Sequence, residues 1–251
     1  MNTSKLIIVL SLIIFSFAWS SCEETNKSTD NTNTTTNTVE EKSKPAPSGS
    51  ENLISEEEMT KTLTAIADNM EKQKLMYDRE RRQDSPGIFH KIVDELKKQL
   101  PALAEESKYQ YPTYEEANTT RLLADWYYKN GNFEIVHDPM DSRNNIKVGS
   151  VMFYGRSGEK FKGYDIDQLT DRKNNFTTKG IIQHIAVVTE VKKDADGNVQ
   201  EYTIMHGRRP GKHATRSVSK EVQSTNTKGL PPFGSWKQQW VAMAYIATPN
   251  K

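Results

Sequence analysis

The sequence predicts an α+β fold, in which N-terminal helices pack on a small antiparallel β-sheet. Two observations support this class. Between residues 53 and 129, apolar side chains recur every three or four positions, which is typical of helices. After residue 147 the apolar runs are short and rich in β-branched residues, and a turn containing Asp and Gly joins two of them. A chain of 251 residues can form one such domain with additional segments.

The N-terminus has the pattern of a bacterial lipoprotein signal peptide. Lys5 supplies a positive charge, and residues 6–18 form an apolar run shorter than the roughly 20 residues of a membrane-spanning helix. Two serines then precede Cys22, the single cysteine of the chain. We expect a signal peptide over residues 1–21, lipidation at Cys22, and a location in the cell envelope through this lipid anchor. The alternative is an ordinary secretory signal with an incidental cysteine.

A polar segment follows the cysteine. Residues 23–50 are mostly Thr, Asn, Ser, Glu, Lys and Pro, without an aromatic residue. Such a composition cannot bury enough apolar surface to offset the entropy lost on folding. We therefore expect a disordered tether over residues 22–52 and a folded domain over residues 53–251.

The charge and cysteine counts exclude several functions. The 34 Lys and Arg nearly balance the 33 Asp and Glu, whereas a nucleic-acid partner usually requires a basic excess. With Cys22 as the lone thiol, the folded part has no disulfide, thiolate metal site or cysteine nucleophile. We predict no nucleic-acid partner, no metal and no cofactor.

Three helices are predicted in the first half of the domain. The first covers residues 53–82, with Ser55 at its start and three glutamates in its first turn. The sequence Gln-Asp-Ser-Pro-Gly at 83–87 ends it, and a second helix follows over residues 88–100. The third covers residues 114–129 and stops at an Asn-Gly pair.

The break before the second helix admits two interpretations. A side chain at a helix start lies near the positive end of the helix dipole, where a nucleophile's anion or an oxyanion is stabilised. Alternatively, Asp84 or Ser85 caps the helix, with Pro86 in its favoured first position.

The sequence of the second half of the domain predicts an antiparallel sheet. The predicted strands cover residues 150–154, 184–191, 199–206 and 240–246, and residues 194–198 form a hairpin turn between the second and the third. His184 and His206 are equidistant from Ala195 in this turn, so we expect them directly opposite each other. Such a pair can serve as base and orienter, as a structural pair, or as two metal ligands. The hypothesis of a metal site has the least support, since no third ligand with a known spacing accompanies the pair.

The order of these segments resembles that of the NlpC-type peptidases, a papain-like group that cuts peptides of bacterial peptidoglycan. Asp-Ser-Pro-Gly-Ile-Phe at 84–89 aligns with the nucleophile motif, and Val-Gly-Ser-Val-Met-Phe at 148–153 with the glycine-led strand. His-Ile-Ala-Val-Val at 184–188 aligns with the strand of the catalytic histidine, and His206 with the third triad member. The likeness covers roughly residues 53–246.

This resemblance implies a papain-like fold and a triad of Ser85, His184 and His206. Ser85 would attack the peptide carbonyl, His184 would remove its proton, His206 would orient His184, and amides at the helix start would hold the oxyanion. The family has cysteine where this chain has Ser85, and a hydroxyl needs a general base more than a thiol does. The chain is therefore either a serine variant or a binding protein. An alternative alignment places Thr119 at the nucleophile position.

A basic loop and two tryptophans complete the candidate site. Gly-Arg-Arg-Pro-Gly-Lys at 207–212 directly follows His206. Arginines bind carboxylates with paired donors, so we expect Arg208 and Arg209, together with Asp84, to contact a peptide substrate. A solvated loop that balances nearby acids is the alternative. Trp236 and Trp240 are expected in the core or as groove walls.

The expected function is that of a membrane-anchored lipoprotein that binds peptidoglycan stem peptides and, if Ser85 is active, hydrolyses them. A second hypothesis is a binding lipoprotein that uses the same groove without catalysis. A third keeps the fold but changes the substrate, since papain-like folds also include acyltransferases and amidases that act on other molecules.

Overall fold

The computed structural model describes residues 54–176, 180–221 and 230–250. In this part of the chain the predicted α+β class is confirmed, because helices pack on a six-stranded antiparallel sheet. The predicted signal peptide, the predicted lipidation at Cys22 and the whole predicted tether lie outside the described residues. Within them, every helix is too short or too polar to cross a bilayer.

In the part of the chain that the structure describes, the two longest helices come first, shorter helices alternate with strands in the middle of the domain, and five strands follow the last α-helix. The helices are α1 Glu56–Gln73, α2 Ser85–Gln99, α3 Thr120–Lys129, α4 Pro139–Ser142 and α5 Ile166–Thr170. The strands are β1 Tyr109–Gln110, β2 Glu134–Ile135, β3 Ser150–Ser157, β4 His184–Lys193, β5 Val199–His206, β6 Thr215–Lys220, β7 Gln238–Tyr245 and β8 Thr248–Pro249.

The first helix is shorter than the sequence predicts. Ser55 caps α1 by accepting a hydrogen bond from the Glu58 amide at 3.1 Å, as expected. The helix ends at Lys74, which adopts a left-handed conformation, rather than near residue 82. The chain then runs as a loop beside the segment that precedes β6, and the Ala214 amide bonds the carbonyl of Leu75 at 2.8 Å. Tertiary pairing overrides helical periodicity here.

The second and third helices begin at capping side chains. Asp84 caps α2, with Pro86 in its first turn. The α3 helix starts at Thr120 instead of residue 114, because the Thr119 hydroxyl accepts a hydrogen bond from the Leu122 amide at 3.2 Å.

The large sheet has the strand order β2-β7-β3-β4-β5-β6, so β6 lies at one edge. One face carries Val187 and Met205, which belong to the core formed with α1, α2 and α3. The opposite face carries Val188 and Ile204, which pack in a second core together with Tyr202. The strand alternation therefore divides the apolar residues between two cores.

The β4–β5 hairpin has a different register from the predicted one. Near the open end of the hairpin, Val187 pairs with Met205 and Val188 with Ile204, which displaces the pairing by two residues. The turn is centred on Asp196 rather than Ala195, since Lys193 pairs with Val199 and the Asp194 amide bonds the Asn198 carbonyl. This one-residue change in the turn produces the displacement, because the two irregularities farther along the strands cancel each other. The two histidines are thus diagonal neighbours rather than directly opposite. An even displacement keeps both on one face of the sheet.

Candidate active site

A cleft of about 750 Å³ opens at the end of the sheet where β4 begins and β5 ends. This volume lies within the range of small-molecule sites. Ser85, His184 and His206 all line it, although they come from a helix start and two strand ends. Its other lining residues include Arg208 and Arg209, and none of the described residues that line it is acidic.

Four side chains in this cleft form a continuous series of hydrogen bonds. Ser85 Oγ lies 2.9 Å from Nδ1 of His184, and Nε2 of His184 lies 2.8 Å from Nδ1 of His206. Nε2 of His206 lies in turn 2.9 Å from Oγ of Ser217. The His184 ring also stacks on Tyr154, with 5.9 Å between ring centroids. Diagonal strand neighbours lie within reach of aromatic side chains, so the shifted register still brings the imidazoles together.

Two glycines permit close backbone contacts at the start of α2. A Cβ atom at Gly207 would lie 2.6 Å from the Asp84 carbonyl carbon and 2.7 Å from the Ser85 nitrogen. A Cβ atom at Gly87 would lie 2.3 Å from the backbone of Arg82. Real Cβ atoms do not approach the backbone this closely. The missing side chain at Gly207 therefore lets the start of α2 reach the end of β5, and the missing side chain at Gly87 lets the Arg82 backbone pack against the first turn of α2.

Burial and positive charge keep both imidazoles neutral. Burial lowers the pKa of His184 well below its usual range, and the charges of His206 and Arg208 lower it further. Burial and Arg208 lower the pKa of His206 to about 4, against a smaller opposing effect of a backbone hydrogen bond at Gly207. At pH 7 His184 can therefore accept a proton from a hydroxyl.

Two proton arrangements satisfy these contacts. In the first, Ser85 donates to His184, His184 donates to His206, and His206 donates to Ser217. In the second, Ser85 donates to the Gly207 carbonyl at 3.2 Å and each imidazole proton moves to the opposite nitrogen. General-base catalysis requires the first arrangement, in which His184 Nδ1 is unprotonated.

The start of α2 supplies one amide for an oxyanion. Pro86 has no N–H group, and the Gly87 amide already donates to Oδ1 of Asp84 at 3.1 Å. Within the described chain, the Ser85 amide has no hydrogen-bond partner. Among residues 85–87, the Ser85 amide is therefore the one that remains to bind an oxyanion.

The structure assigns two of the candidate residues to helix caps. The Asp84 carboxylate is buried, accepts the Gly87 amide and does not line the cleft. Asp84 therefore positions Ser85 rather than facing the space available to a substrate. Thr119, the alternative nucleophile, caps α3 and also lies outside the lining of the cleft.

The basic loop and one tryptophan flank the cleft as expected. Arg208 and Arg209 line it, while Trp236 is 64% exposed at its wall. Trp240 is fully buried in the second core. The two tryptophans thus divide between the two roles that the sequence left open.

Sequence reasoning missed several residues that shape the site. Ser217 and Val218 lie on β6, a strand that was not predicted because its sequence, Thr-Arg-Ser-Val-Ser-Lys, has almost no apolar residue. Its alternation of small polar residues with other types was the available signal. The close approach at Gly207 depends on tertiary contacts and has no local signal.

Comparisons with models of protein families, with curated proteins and with solved structures find no match. In the part of the chain that the structure describes, no three His, Cys, Asp or Glu side chains are grouped as metal ligands. The description of the site therefore rests on its geometry.

The neutral imidazoles predict a loss of stability at mildly acidic pH. Because the pKa of His206 is about 4 in the folded protein and near 6.5 when unfolded, the unfolded state binds more protons between these values. The free energy of unfolding should therefore decrease by about 3 kcal/mol from this histidine as the pH falls from 6.5 to 4. His184 and the buried His90 contribute in the same direction.

Urea unfolding between pH 7.5 and 4.5 measures this effect. Burial would raise the pKa of Glu71, but hydrogen bonds from Arg216 and Thr215 lower it to about 2, so its stabilising contribution is lost only below pH 4.5. The variant His206→Gln should show a shallower pH dependence than the parent over the same window. If the free energy of unfolding depends on pH equally in the two proteins, His206 does not have a lowered pKa in the folded state.

Proposed function

We propose that this protein is a serine-dependent amide hydrolase that acts on peptidoglycan stem peptides, with a papain-like arrangement of helices and sheet. Ser85 attacks the carbonyl carbon, and His184 takes the hydroxyl proton and returns it to the leaving amine. A water molecule that gives a proton to His184 then attacks the acyl-serine ester, and the proton returns to the Ser85 oxygen as the peptide acid leaves. His206 orients the His184 ring, and the Ser85 amide binds the oxyanion.

One observation carries this proposal. The Ser85 hydroxyl lies 2.9 Å from an imidazole whose other nitrogen lies 2.8 Å from a second imidazole, and this series borders an open cleft. A nucleophile, its base and an orienting group within hydrogen-bond distance constitute the arrangement expected for covalent catalysis. The lowered pKa of His184 also suits a hydroxyl nucleophile, which needs a neutral base.

The substrate class follows from the resemblance and from charge. Stem peptides carry several carboxylates, and Arg208 and Arg209 border the cleft without an acidic lining residue beside them. The proposed location is the cell envelope, where Cys22 carries a lipid and residues 22–52 link the domain to the membrane.

Digestion of purified peptidoglycan tests the proposal. The full chain should release soluble peptide fragments, and Ser85→Ala should reduce the rate at least about 10³-fold because the nucleophile is removed. The matched control is Ser157→Ala, which changes another cleft serine. Release of fragments by Ser85→Ala at the parental rate would exclude Ser85 as the nucleophile.

A second candidate function is binding without turnover. The third member of the series is an imidazole rather than a carboxylate that would stabilise a protonated His184, and the charge of Arg208 opposes its protonation. This favours a lipoprotein that binds stem peptides in the same cleft. Equal affinity of the parent and Ser85→Ala for a soluble stem peptide, with no fragments released by either, would favour this function.

A further inference from the structure

The β6 strand forms the edge of the large sheet beside the candidate triad. Its neighbour is β5, and the pairs run from Glu201 with Lys220 to His206 with Thr215. Ser217 contacts His206, and the next residue, Val218, is 52% exposed and lines the cleft. The edge strand therefore borders the site.

Hydrogen bonds on either side of Val218 show which backbone groups point away from β5. The Arg216 amide donates outward to Oε1 of Glu71 at 2.7 Å, and the Lys220 carbonyl accepts from the Phe233 amide at 2.8 Å. Residues two apart on a strand have the same orientation, so the N–H and C=O of Val218 also point outward. The Glu221 amide bonds inward to Gln200, as this alternation requires.

The outward groups of Val218 are unoccupied, whereas those on both sides are covered. Within the described residues, neither the amide nor the carbonyl of Val218 has a hydrogen-bond partner. The α1 helix covers Arg216 through Glu71, and the segment at Phe233 covers the Lys220 carbonyl. This leaves one exposed donor and acceptor pair facing the cleft, a geometry that can pair with one residue of an extended peptide.

Distance and charge indicate which kind of ligand pairs with the backbone of Val218. Three hydrogen bonds and two imidazole rings separate Ser217 Oγ from Ser85 Oγ, so a chain that advances about 3.3 Å per residue covers this span in no more than about four residues. Among the described residues, the charged side chains that line the cleft are Arg208 and Arg209. A short extended peptide with a carboxylate fits both constraints.

We propose that the substrate binds as an added strand, with a two-hydrogen-bond pair between one of its residues and the backbone of Val218. This pairing holds a neighbouring amide of the peptide near Ser85 and its carboxylate near Arg208 and Arg209. The inference rests on the proposed action on stem peptides and adds to it the conformation and the backbone contact of the bound peptide.

A proline substitution removes one of the two hydrogen bonds. In the full chain carrying Ser85→Ala, Val218→Pro eliminates an amide that does not take part in the β5 ladder, which is the position where an edge strand tolerates proline. Its affinity for a soluble peptidoglycan tetrapeptide, measured by calorimetry, should fall about tenfold. The control Val218→Thr keeps both the amide and a β-branched side chain, and its affinity should change less than about twofold.

Hydrogen exchange provides a measurement that does not depend on the folding of the proline variant. In Ser85→Ala, saturating tetrapeptide should slow exchange of the Val218 amide at least about tenfold, since a bonded amide exchanges only on opening. An unchanged Val218 exchange rate in the presence of bound peptide, or unchanged affinity in a folded Val218→Pro variant, would overturn this inference and leave the proposed function intact. Absence of both peptide binding and peptidoglycan digestion would instead reject both proposals.

Discussion

His184→Ala is expected to reduce peptide hydrolysis at least about 10³-fold, because this ring is the single group joining the nucleophile to the rest of the series. Without it, no base lies within hydrogen-bond distance of the Ser85 hydroxyl, whose other contact is the Gly207 carbonyl. The measurement is kcat/KM on a soluble stem peptide, with circular dichroism to verify folding. The control His137→Ala removes an exposed imidazole outside the cleft and should retain full activity.

The double variant Ser85→Ala with His184→Ala gives a sharper test. Groups that act as a unit lose nearly their whole contribution when either one is removed, so the double variant should be about as slow as each single variant. If the fold-reduction in the double variant equals the product of the two single reductions, the two side chains act independently. That result would contradict a mechanism in which His184 activates Ser85.

Gly207→Ala is expected to destabilise the fold by about 3 kcal/mol, since the added methyl group overlaps the backbone of Asp84 and Ser85. For a domain of this size that corresponds to a decrease in Tm of roughly 6–12 °C. The strain is relieved only if α2 moves away from β5, which lengthens the contact between Ser85 and His184. Activity should therefore decrease along with stability.

The matched control for this prediction is Gly211→Ala in the same loop. Gly211 has φ +79° and open space around its Cβ position, so alanine there meets backbone strain of about 1 kcal/mol but no overlap. Thermal unfolding of the two variants separates these effects. An equal decrease in Tm for both would show that the close approach at Gly207 contributes nothing to stability.

Local patterns in the sequence were sufficient to predict the helix caps and the first hairpin. Ser55 and Asp84 cap helices because their side chains accept amides three residues later, an interaction within one turn of chain. The turn at residues 194–198 likewise reflects the conformational preference of its own residues. These elements depend on neighbours in sequence and little else.

The end of α1, the register of the β4–β5 hairpin and the presence of β6 could not be predicted without the tertiary structure. The helix period continued beyond Lys74, but pairing with the segment before β6 ends the helix there. The symmetric hairpin register was wrong by two residues, because the turn is centred on Asp196 and its composition does not fix its centre to a single residue. The edge strand β6 was missed because its polar residues face solvent, a neighbouring histidine and the α1 helix.

By itself, the sequence determined the α+β class, the polar segment after Cys22 and the identities of the hydroxyl and the two imidazoles that the structure brings together. Tertiary structure alone decided that these groups lie within hydrogen-bond distance and that Val218 faces the cleft with backbone groups that have no partner among the described residues. The physical reason is that capping and strand patterns arise over a few residues, whereas the cleft forms where α2, β4, β5 and β6 meet. That meeting depends on the packing of residues far apart in the chain, including the space left by the missing side chain at Gly207.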